Sequence, residues 1–309
     1  MSAGPQMKPR TRSAGHLVPV VLLCATAVST FLIGTMQEAS GAASLLDGVL
    51  HFARNPASLL RPASYAAAIM GVLLAHEMGH YIAARRRGVD QSLPYFIPFP
   101  SLLGTLGAVI VMRSTPRTRS QLFDVAVSGP LAGLLVAVPL AIYGLIHSTP
   151  IDPELAQRAS GTLWLGNSLL FLALEHVFSP AGDMIILHPV GFAAWAGLLV
   201  TALNLIPASQ LDGGHIMYAV FGARAHRLVA IFVIASLFGL GWRYSFQVDR
   251  FLPDGMIWLL WGGLLFAFGR RHPPVMEERQ PLDKKRRLLA ALMLLVFVLT
   301  FVPLPVRLL

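Results

Sequence analysis

Cysteine is almost absent: Cys24 stands alone in 309 residues. No intrachain disulfide can form, so no disulfide framework holds this fold. Charge is scarce as well. Charged residues make up 13% of the chain, against roughly 25% in an ordinary soluble domain. Acidic residues are the rarer sign, 15 against 24 Lys and Arg, which leaves a net charge of +9. Apolar residues reach 55%. A soluble fold of this size could not hide that much apolar surface behind so few charges. Disorder is excluded too, since disordered chains are poor in apolar residues. What remains is a multi-span membrane protein, with lipid in place of water around most side chains. The basic excess does not point to a nucleic-acid partner. Lys and Arg sit in short clusters between apolar runs, the pattern of cytoplasmic loops in membrane proteins.

Seven apolar runs are candidate spans: His16 to Met36, Ala63 to Arg85, Leu122 to Ile146, Pro189 to Leu211, Leu228 to Trp242, Met256 to Phe268 and Leu288 to Val302. A cleaved signal peptide is the rival for the first run, but its apolar region would be shorter. The basic clusters are Lys8/Arg10/Arg12, Arg85–Arg87, Arg113/Arg117/Arg119, Arg224/Arg227, Arg270/Arg271 and Lys284–Arg287. The remaining loops carry Asp47, Asp152, Glu154, Asp183, Asp249 and Asp254. A cytoplasmic N-terminus places every strong basic cluster inside, as the positive-inside rule requires. No repeat of 20–50 residues and no soluble stretch long enough for a further domain interrupts this pattern.

Two stretches resist the scheme. Gln91 to Arg113 is apolar, yet Pro94, Pro98 and Pro100 forbid a regular helix. Basic residues bound it on both sides, so it is expected to enter and leave on one face as a re-entrant loop or hairpin. Irregular backbone at membrane depth must be buried in protein or line a cavity. Leu163 to Phe178 is apolar but short and ends in Glu175-His176; it reads as an eighth span or an interfacial helix.

Chemistry enters in the second run, at His76-Glu77-Met78-Gly79-His80. Histidines at i and i+4 share a helix face, and their ring nitrogens can both reach one Zn²⁺ at about 2.0–2.1 Å. Glu77 follows the first histidine, where a carboxylate serves as general base. Ionisable residues inside an apolar span are costly and usually mark function. A catalytic zinc takes three protein ligands and keeps one position open. Asp212 is the candidate third ligand, at the end of the fourth run in Asn204-Leu-Ile-Pro-Ala-Ser-Gln-Leu-Asp212-Gly213-Gly214. On this reading Pro207 frees backbone groups in the helix, and Gly213 and Gly214 turn the chain after the carboxylate. An acid at a helix C-terminus is poorly placed for the dipole and wants a cation. For the histidines and Asp212 to meet at one depth, the second and fourth runs must be parallel, with a single crossing at Leu122–Ile146 between them. That assigns Leu163–Phe178 to the outer surface and the metal to the cytoplasmic side. His215, after the double glycine, is a candidate group behind the ligands. His147, His176 and His188 read as interfacial residues, Trp242 and Tyr244 as belt anchors, and Gly129-Pro130 as a packing or kink element.

HEMGH followed by NLIPASQLDGGH resembles the site-2 protease family of intramembrane zinc metalloproteases, peptidase family M50. The segment LPYFIPFPSLLGTLGAVIVMRS makes the likeness nearest to the bacterial and plastid branch without a PDZ insertion. The resemblance implies a polytopic all-α membrane protein of about seven transmembrane helices, with a re-entrant hairpin or loop. Its core would be three helices carrying one Zn²⁺. By position it matches His76, His80 and Asp212 to the metal ligands, Glu77 to the catalytic base and Asn204 to a residue that steadies the substrate carbonyl. It divides the chain into residues 1–62 with the first span, a metalloprotease core at 63–222 and C-terminal helices at 223–309. The implied substrates are transmembrane segments of other membrane proteins, and the implied place is the bacterial inner membrane. Leu106–Met112 could offer a strand edge to an unwound substrate. The rival readings are an inactive scaffold of the same fold and a multi-span transporter, for which two related halves would be expected. No residue signals the oligomeric state.

Overall fold

The computed structural model describes residues 16–38, 52, 54–152, 163–180, 182, 184–245, 255–268, 272–277 and 280–308. Lys8, Arg10, Arg12, Arg270 and Arg271, and the loop acids Asp47, Glu154, Asp183, Asp249 and Asp254, lie outside the described residues. The protein is mostly helical. Four helices are long and apolar enough to cross a membrane: Leu17–Glu38, Pro56–Arg86, Arg119–Ile146 and Ala223–Ser245. Three more that were candidate spans are shorter, Pro189–Asn204 with 16 residues, Met256–Phe268 with 13 and Lys284–Thr300 with 17.

In chain order we label the helices α1 (Leu17–Glu38), α2 (Leu60–Arg86, entered through a 3₁₀ turn at Pro56–Leu59), α3 (Arg119–Ile146), α4 (Leu169–Phe178), α5 (Pro189–Asn204), α6 (Asp212–Phe221), α7 (Ala223–Ser245), α8 (Met256–Phe268) and α9 (Lys284–Thr300). The strands are β1 (Tyr95–Pro98), β2 (Thr105–Val109), β3 (Thr149–Pro150), β4 (Leu163–Leu165), β5 (Ile185–Ile186) and β6 (Val306–Leu308). They form three antiparallel pairs, β1–β2, β3–β5 and β4–β6. The expected all-α class stands as a mostly helical fold, to which these short ribbons are added. Proline and β-branched residues disfavour helix in the segments that link the helices.

Four helices, α3, α4, α5 and α9, begin where the sequence supplies a side-chain cap. Thr118 and Gln121 form a reciprocal capping box at the start of α3, satisfying two otherwise orphaned donors. His188 Nδ1 accepts from Val190 N at 3.2 Å at the start of α5, with Pro189 in the first turn. Asp283 accepts from Arg286 N at 2.9 Å to open α9. The outer faces stay apolar and exposed, as at Leu135, Leu228, Phe232 and Leu288, which fits a surface wetted by lipid.

Helices α2, α3 and α5 make the centre. Tyr65 near the start of α2 stacks on Phe192 near the start of α5, with ring centroids 5.7 Å apart; the two helices run parallel. Helix α3 runs against both, its C-terminal Gly144 lying on Gly191 of α5. A Cβ at Gly144 would overlap the Gly191 backbone; small residues let transmembrane backbones approach this closely. Gly144→Val is expected to lower stability by about 1–3 kcal/mol through overpacking, read as a depressed thermal midpoint of the purified protein in detergent. An unchanged midpoint would mean the crossing tolerates separation.

The Gln91–Arg113 segment is an antiparallel hairpin, with Tyr95 paired to Val109 and Phe96 to Ala108. Its base is bridged at Gln91 and Met112, and its tip reaches the opposite end of α2. There the Tyr65 hydroxyl donates to Leu103 O at 3.0 Å, and Gln37 Nε2 donates to Leu102 O at 3.3 Å. Gly104, at φ 77°, lies against the α1 backbone at Thr30. The Leu163–Phe178 stretch splits into β4 and the 10-residue α4. At 1.5 Å per residue that helix reaches only about half of a 30 Å hydrocarbon layer. β4 pairs with β6 beyond the end of α9, and Trp195 Nε1 donates to Gly166 O at 2.7 Å, which holds this layer against the start of α5.

Candidate metal centre

At the end of the bundle where α2 and α5 terminate, His76, His80 and Asp212 converge. His76 Nε2 lies 3.2 Å from Asp212 Oδ2 and 3.2 Å from His80 Nε2, and His80 Nε2 lies 3.3 Å from the same carboxylate oxygen. They are the group among the described residues able to hold a metal ion. The triangle has the size a tetrahedral ion demands: arms of 2.0–2.1 Å place neighbouring ligand atoms about 3.3 Å apart. The protonation pattern agrees. His80 Nδ1 is 2.8 Å from Val125 O; a carbonyl only accepts, so Nδ1 carries a hydrogen, and in the neutral ring Nε2 presents a lone pair. That lone pair faces the Asp212 carboxylate, another acceptor. Two acceptors at this distance call for a cation between them, a proton or a metal ion. The donor set, two imidazoles and one carboxylate, is one that zinc accepts with a position left open.

Asp212 arrives by a route that differs from the sequence expectation. It does not close the fourth run. α5 ends at Asn204, Pro207 sits in the turn that follows, and Asp212 is the first residue of α6. An acid in the first turn of a helix suits the dipole, so the dipole argument reverses. Nor do Gly213 and Gly214 turn the chain. They lie in the first turn of α6 against the backbone of Leu205 and Ala208, where a Cβ would not fit. Their smallness seats α6 on the end of α5 and carries Asp212 back over the histidines.

Helix α3 contributes more than sequence reasoning assigned it. Besides the Val125 carbonyl, it supplies Gly129, where a Cβ would overlap the His80 ring, and Gly133, where one would lie 3.3 Å from His76 Nδ1. Gly129 is the clearance for the His80 ring. Nothing in the sequence separated it from an ordinary packing glycine, because the residue it accommodates is 49 positions away. Asp124, one residue before Val125, is held by both Arg286 Nε and Nη2 at 2.7 Å and by Arg87. This clamp ties α2, α3 and α9 at the metal end.

Glu77 is 8% exposed and borders a cavity of about 200 Å³ together with His76, His80, Asn204 and Asp212. Asn204 Nδ2 lies 3.4 Å from His76 Nε2, so the residue named by resemblance does reach the centre. The opposite wall is the hairpin: Ala108, Val109, Ile110 and Met112. β2 pairs with β1 on one side only, and among the described residues no strand pairs with its other edge.

His215 also borders this cavity. Its Nδ1 is 2.6 Å from His272 Nε2, and His272 Nδ1 is 2.6 Å from Pro273 O. The carbonyl fixes the hydrogen on His272 Nδ1, so His215 donates to His272. Burial pushes the His215 imidazole down to about 3 and His272 down to about 4, with neighbouring histidines adding to each shift, so both rings are neutral near pH 7. Tyr218 stacks on His272 at 4.1 Å. His272 went unassigned in the sequence because it lies far along the chain in a short loop with no motif around it.

A mostly helical, membrane-type protein that gathers two histidines, a carboxylate and a neighbouring glutamate in one cavity has the centre of a metallopeptidase. The chain belongs to Peptidase family M50, whose profile matches residues 64–240. It is 33% identical over 242 residues to the probable zinc metalloprotease EGY1, chloroplastic, of Arabidopsis thaliana, covering 76% of this chain and 42% of that protein. It is 34% identical over 177 residues to the probable zinc metalloprotease EGY2, chloroplastic, of Oryza sativa subsp. indica, covering 55% of this chain and 31% of that protein. Similarity extends, at 25% identity over 251 residues, to the probable zinc metalloprotease EGY3, chloroplastic, of the same source, covering 77% and 41%. The chain thus spans about two fifths of the length of the first of these relatives.

Proposed function

We propose that the protein is an intramembrane zinc metalloprotease that hydrolyses peptide bonds within or next to transmembrane segments of membrane-protein substrates. The observation that carries this reading is one cavity holding the His76, His80 and Asp212 cluster, the Glu77 carboxylate and the open edge of β2. His76, His80 and Asp212 are the ligands of one Zn²⁺. Zinc, when bound, supplies a Lewis acid that polarises a carbonyl oxygen and acidifies water.

The protein's own groups do the rest. Glu77 takes a proton from the attacking water and returns it to the amide nitrogen as the C–N bond breaks. The products are a new carboxyl end and a new amine. The Asn204 amide donates to the carbonyl oxygen as it gains charge. A transmembrane helix has its carbonyls occupied in internal hydrogen bonds, so the segment to be cut must first unwind. The unpaired edge of β2 receives it as an added strand. Four long apolar helices support a multi-pass protein in the membrane, and the shorter apolar helices bring the proposed number of spans to seven. The metal end carries Arg85–Arg87, Arg113, Arg117 and Arg119. By the positive-inside rule it faces the cytoplasm, with the hairpin re-entering from that side. The setting proposed is a bacterial inner membrane, whereas the plant relatives are named as chloroplastic.

Asp212→Ala is expected to lose the metal, giving zinc well below one equivalent by elemental analysis of folded protein. Full zinc content in that variant would remove Asp212 from the ligand set. The reading as a whole is tested in proteoliposomes with purified protein and a candidate membrane substrate. Cleavage that requires zinc supports it, and cleavage unaffected by complete zinc removal overturns it.

A further inference from the structure

Among the described residues, one fully buried side-chain polar atom bordering the cavity at the metal centre has no hydrogen-bond partner. Gln91, 9% exposed, borders that cavity, and its side-chain Nε2 is buried without a hydrogen-bond partner. The two other atoms in this condition, Trp164 Nε1 and Ser245 Oγ, belong to residues that do not line the cavity. A buried donor with no acceptor destabilises the protein that carries it, and an apolar side chain of the same length would be tolerated better. An orphaned amide in an active-site wall is therefore explained by an acceptor that arrives with the ligand. Enzyme sites that select hydrogen-bonding substrates hold their polar groups unpaired until the substrate meets them.

Gln210 and Asn204 also border the cavity and carry amide oxygens, yet neither is hydrogen-bonded to Gln91 Nε2. The hairpin residues beside it, Ala108, Val109, Ile110 and Met112, have no polar side chains. His76, His80 and Asp212 are committed to the metal, and Glu77 to proton transfer. Gln91 stands where the two hairpin strands leave the bundle, bridged to Met112 through its backbone. That bridge fixes its Cα, while the terminal amide torsion remains broad, so the N–H can swing onto a nearby acceptor.

We propose that Gln91 is a substrate-binding residue, whose side-chain amide donates a hydrogen bond to a backbone carbonyl of the extended peptide lying in the cleft between β2 and the metal centre. The assignment rests on the reading of this cavity as a peptide cleft. An acceptor on the backbone, present in every peptide, makes Gln91 a contributor to affinity for the unwound segment whatever its side chains. It acts with Asn204, which borders the same cavity.

The test uses the full chain in detergent, in a Glu77→Gln background that cannot turn substrate over. The probe is a fluorescein-labelled transmembrane peptide of Leu and Ala with a central Gly-Pro pair that unwinds easily. Fluorescence anisotropy gives its Kd. Adding Gln91→Met, which keeps the length and removes the donor, is expected to weaken binding roughly tenfold, with zinc content unchanged and the thermal midpoint equal or higher. Gln91→Glu, which keeps the shape and an acceptor, is expected to weaken it at least as much. In the active protein, Gln91→Met raises KM and leaves kcat near its original value. Equal peptide affinity in the Gln91→Met protein, alongside raised stability, overturns the proposal and leaves only an unsatisfied core amide. If Gln91→Met fails to fold, Gln91→Glu decides on the same Kd. A background protein with Gln91 intact that does not hold the peptide overturns the peptide-cleft reading and this assignment with it.

Discussion

Glu77→Gln is expected to lower cleavage of a membrane-spanning substrate by about 10²–10⁴-fold, the scale of a lost general base, while the protein keeps one equivalent of zinc. The separation follows from position. Glu77 sits one residue from His76 on α2, yet it is outside the triangle formed by His76, His80 and Asp212, so removing its charge leaves every ligand in place. It borders the cavity where water and substrate must meet, so removing its charge takes away the proton acceptor. Gln preserves size and keeps a hydrogen-bonding group in a nearly buried position, so stability is little affected. The measurement pairs elemental zinc analysis with gel-based cleavage in proteoliposomes. Undiminished cleavage by the Glu77→Gln protein would remove Glu77 from the mechanism. Loss of zinc together with activity would instead make it a ligand. An inactive scaffold of the same fold would show zinc but no cleavage even with Glu77 intact.

Gly129→Ala is expected to disable the centre without replacing any proposed ligand. The added Cβ would come within 2.5 Å of His80 Cδ2 and Cε1 and overlap Nε2. A flexible side chain could move aside, but this ring is tied through Nδ1 to Val125 O at 2.8 Å, on the same helix as Gly129. Displacing the ring breaks that bond and turns Nε2 away from the carboxylate. Losing the partner that orients a metal-bound histidine typically costs 10–100-fold in metal affinity, and displacement of the ligand itself costs at least as much. Competition against a chromophoric chelator reads the affinity, and size-exclusion elution confirms folded protein. Wild-type zinc affinity in Gly129→Ala would show that His80 holds its place by some other contact. The same helix position filled by Ser is expected to behave like Ala, since the obstacle is the Cβ.

The histidine pair was legible because spacing on a helix is a local property. Residues four apart share a face whatever the tertiary fold, and α2 is a regular helix through His76 and His80. The parallel course of α2 and α5 was legible for a different reason. Apolar runs long enough to cross a bilayer alternate in direction, so counting crossings fixes which ends meet. Boundaries within the apolar runs were less legible. Pro189 to Leu211 reads as one run, yet α5 stops at Asn204 and α6 starts at Asp212. Hydropathy has no signal for a turn whose polar groups are satisfied inside protein. The hairpin at Gln91–Arg113 was half legible: its prolines excluded helix, and only strand pairing showed how far along α1 and α2 it extends.

The sequence by itself determined that this chain is built largely of membrane-type apolar helices, and it singled out His76, Glu77, His80 and Asp212 as candidates for its chemistry. Those follow from composition, helical period and the types of side chain a metal accepts. Only the tertiary structure decided what surrounds them: the Val125 carbonyl that sets the His80 tautomer, the bare Cα of Gly129 that makes room for its ring, the His272 loop behind His215, and the unpaired amide of Gln91. Each of these is a contact between residues far apart in the chain, and its identity depends on distance in space, which spacing along the chain does not encode.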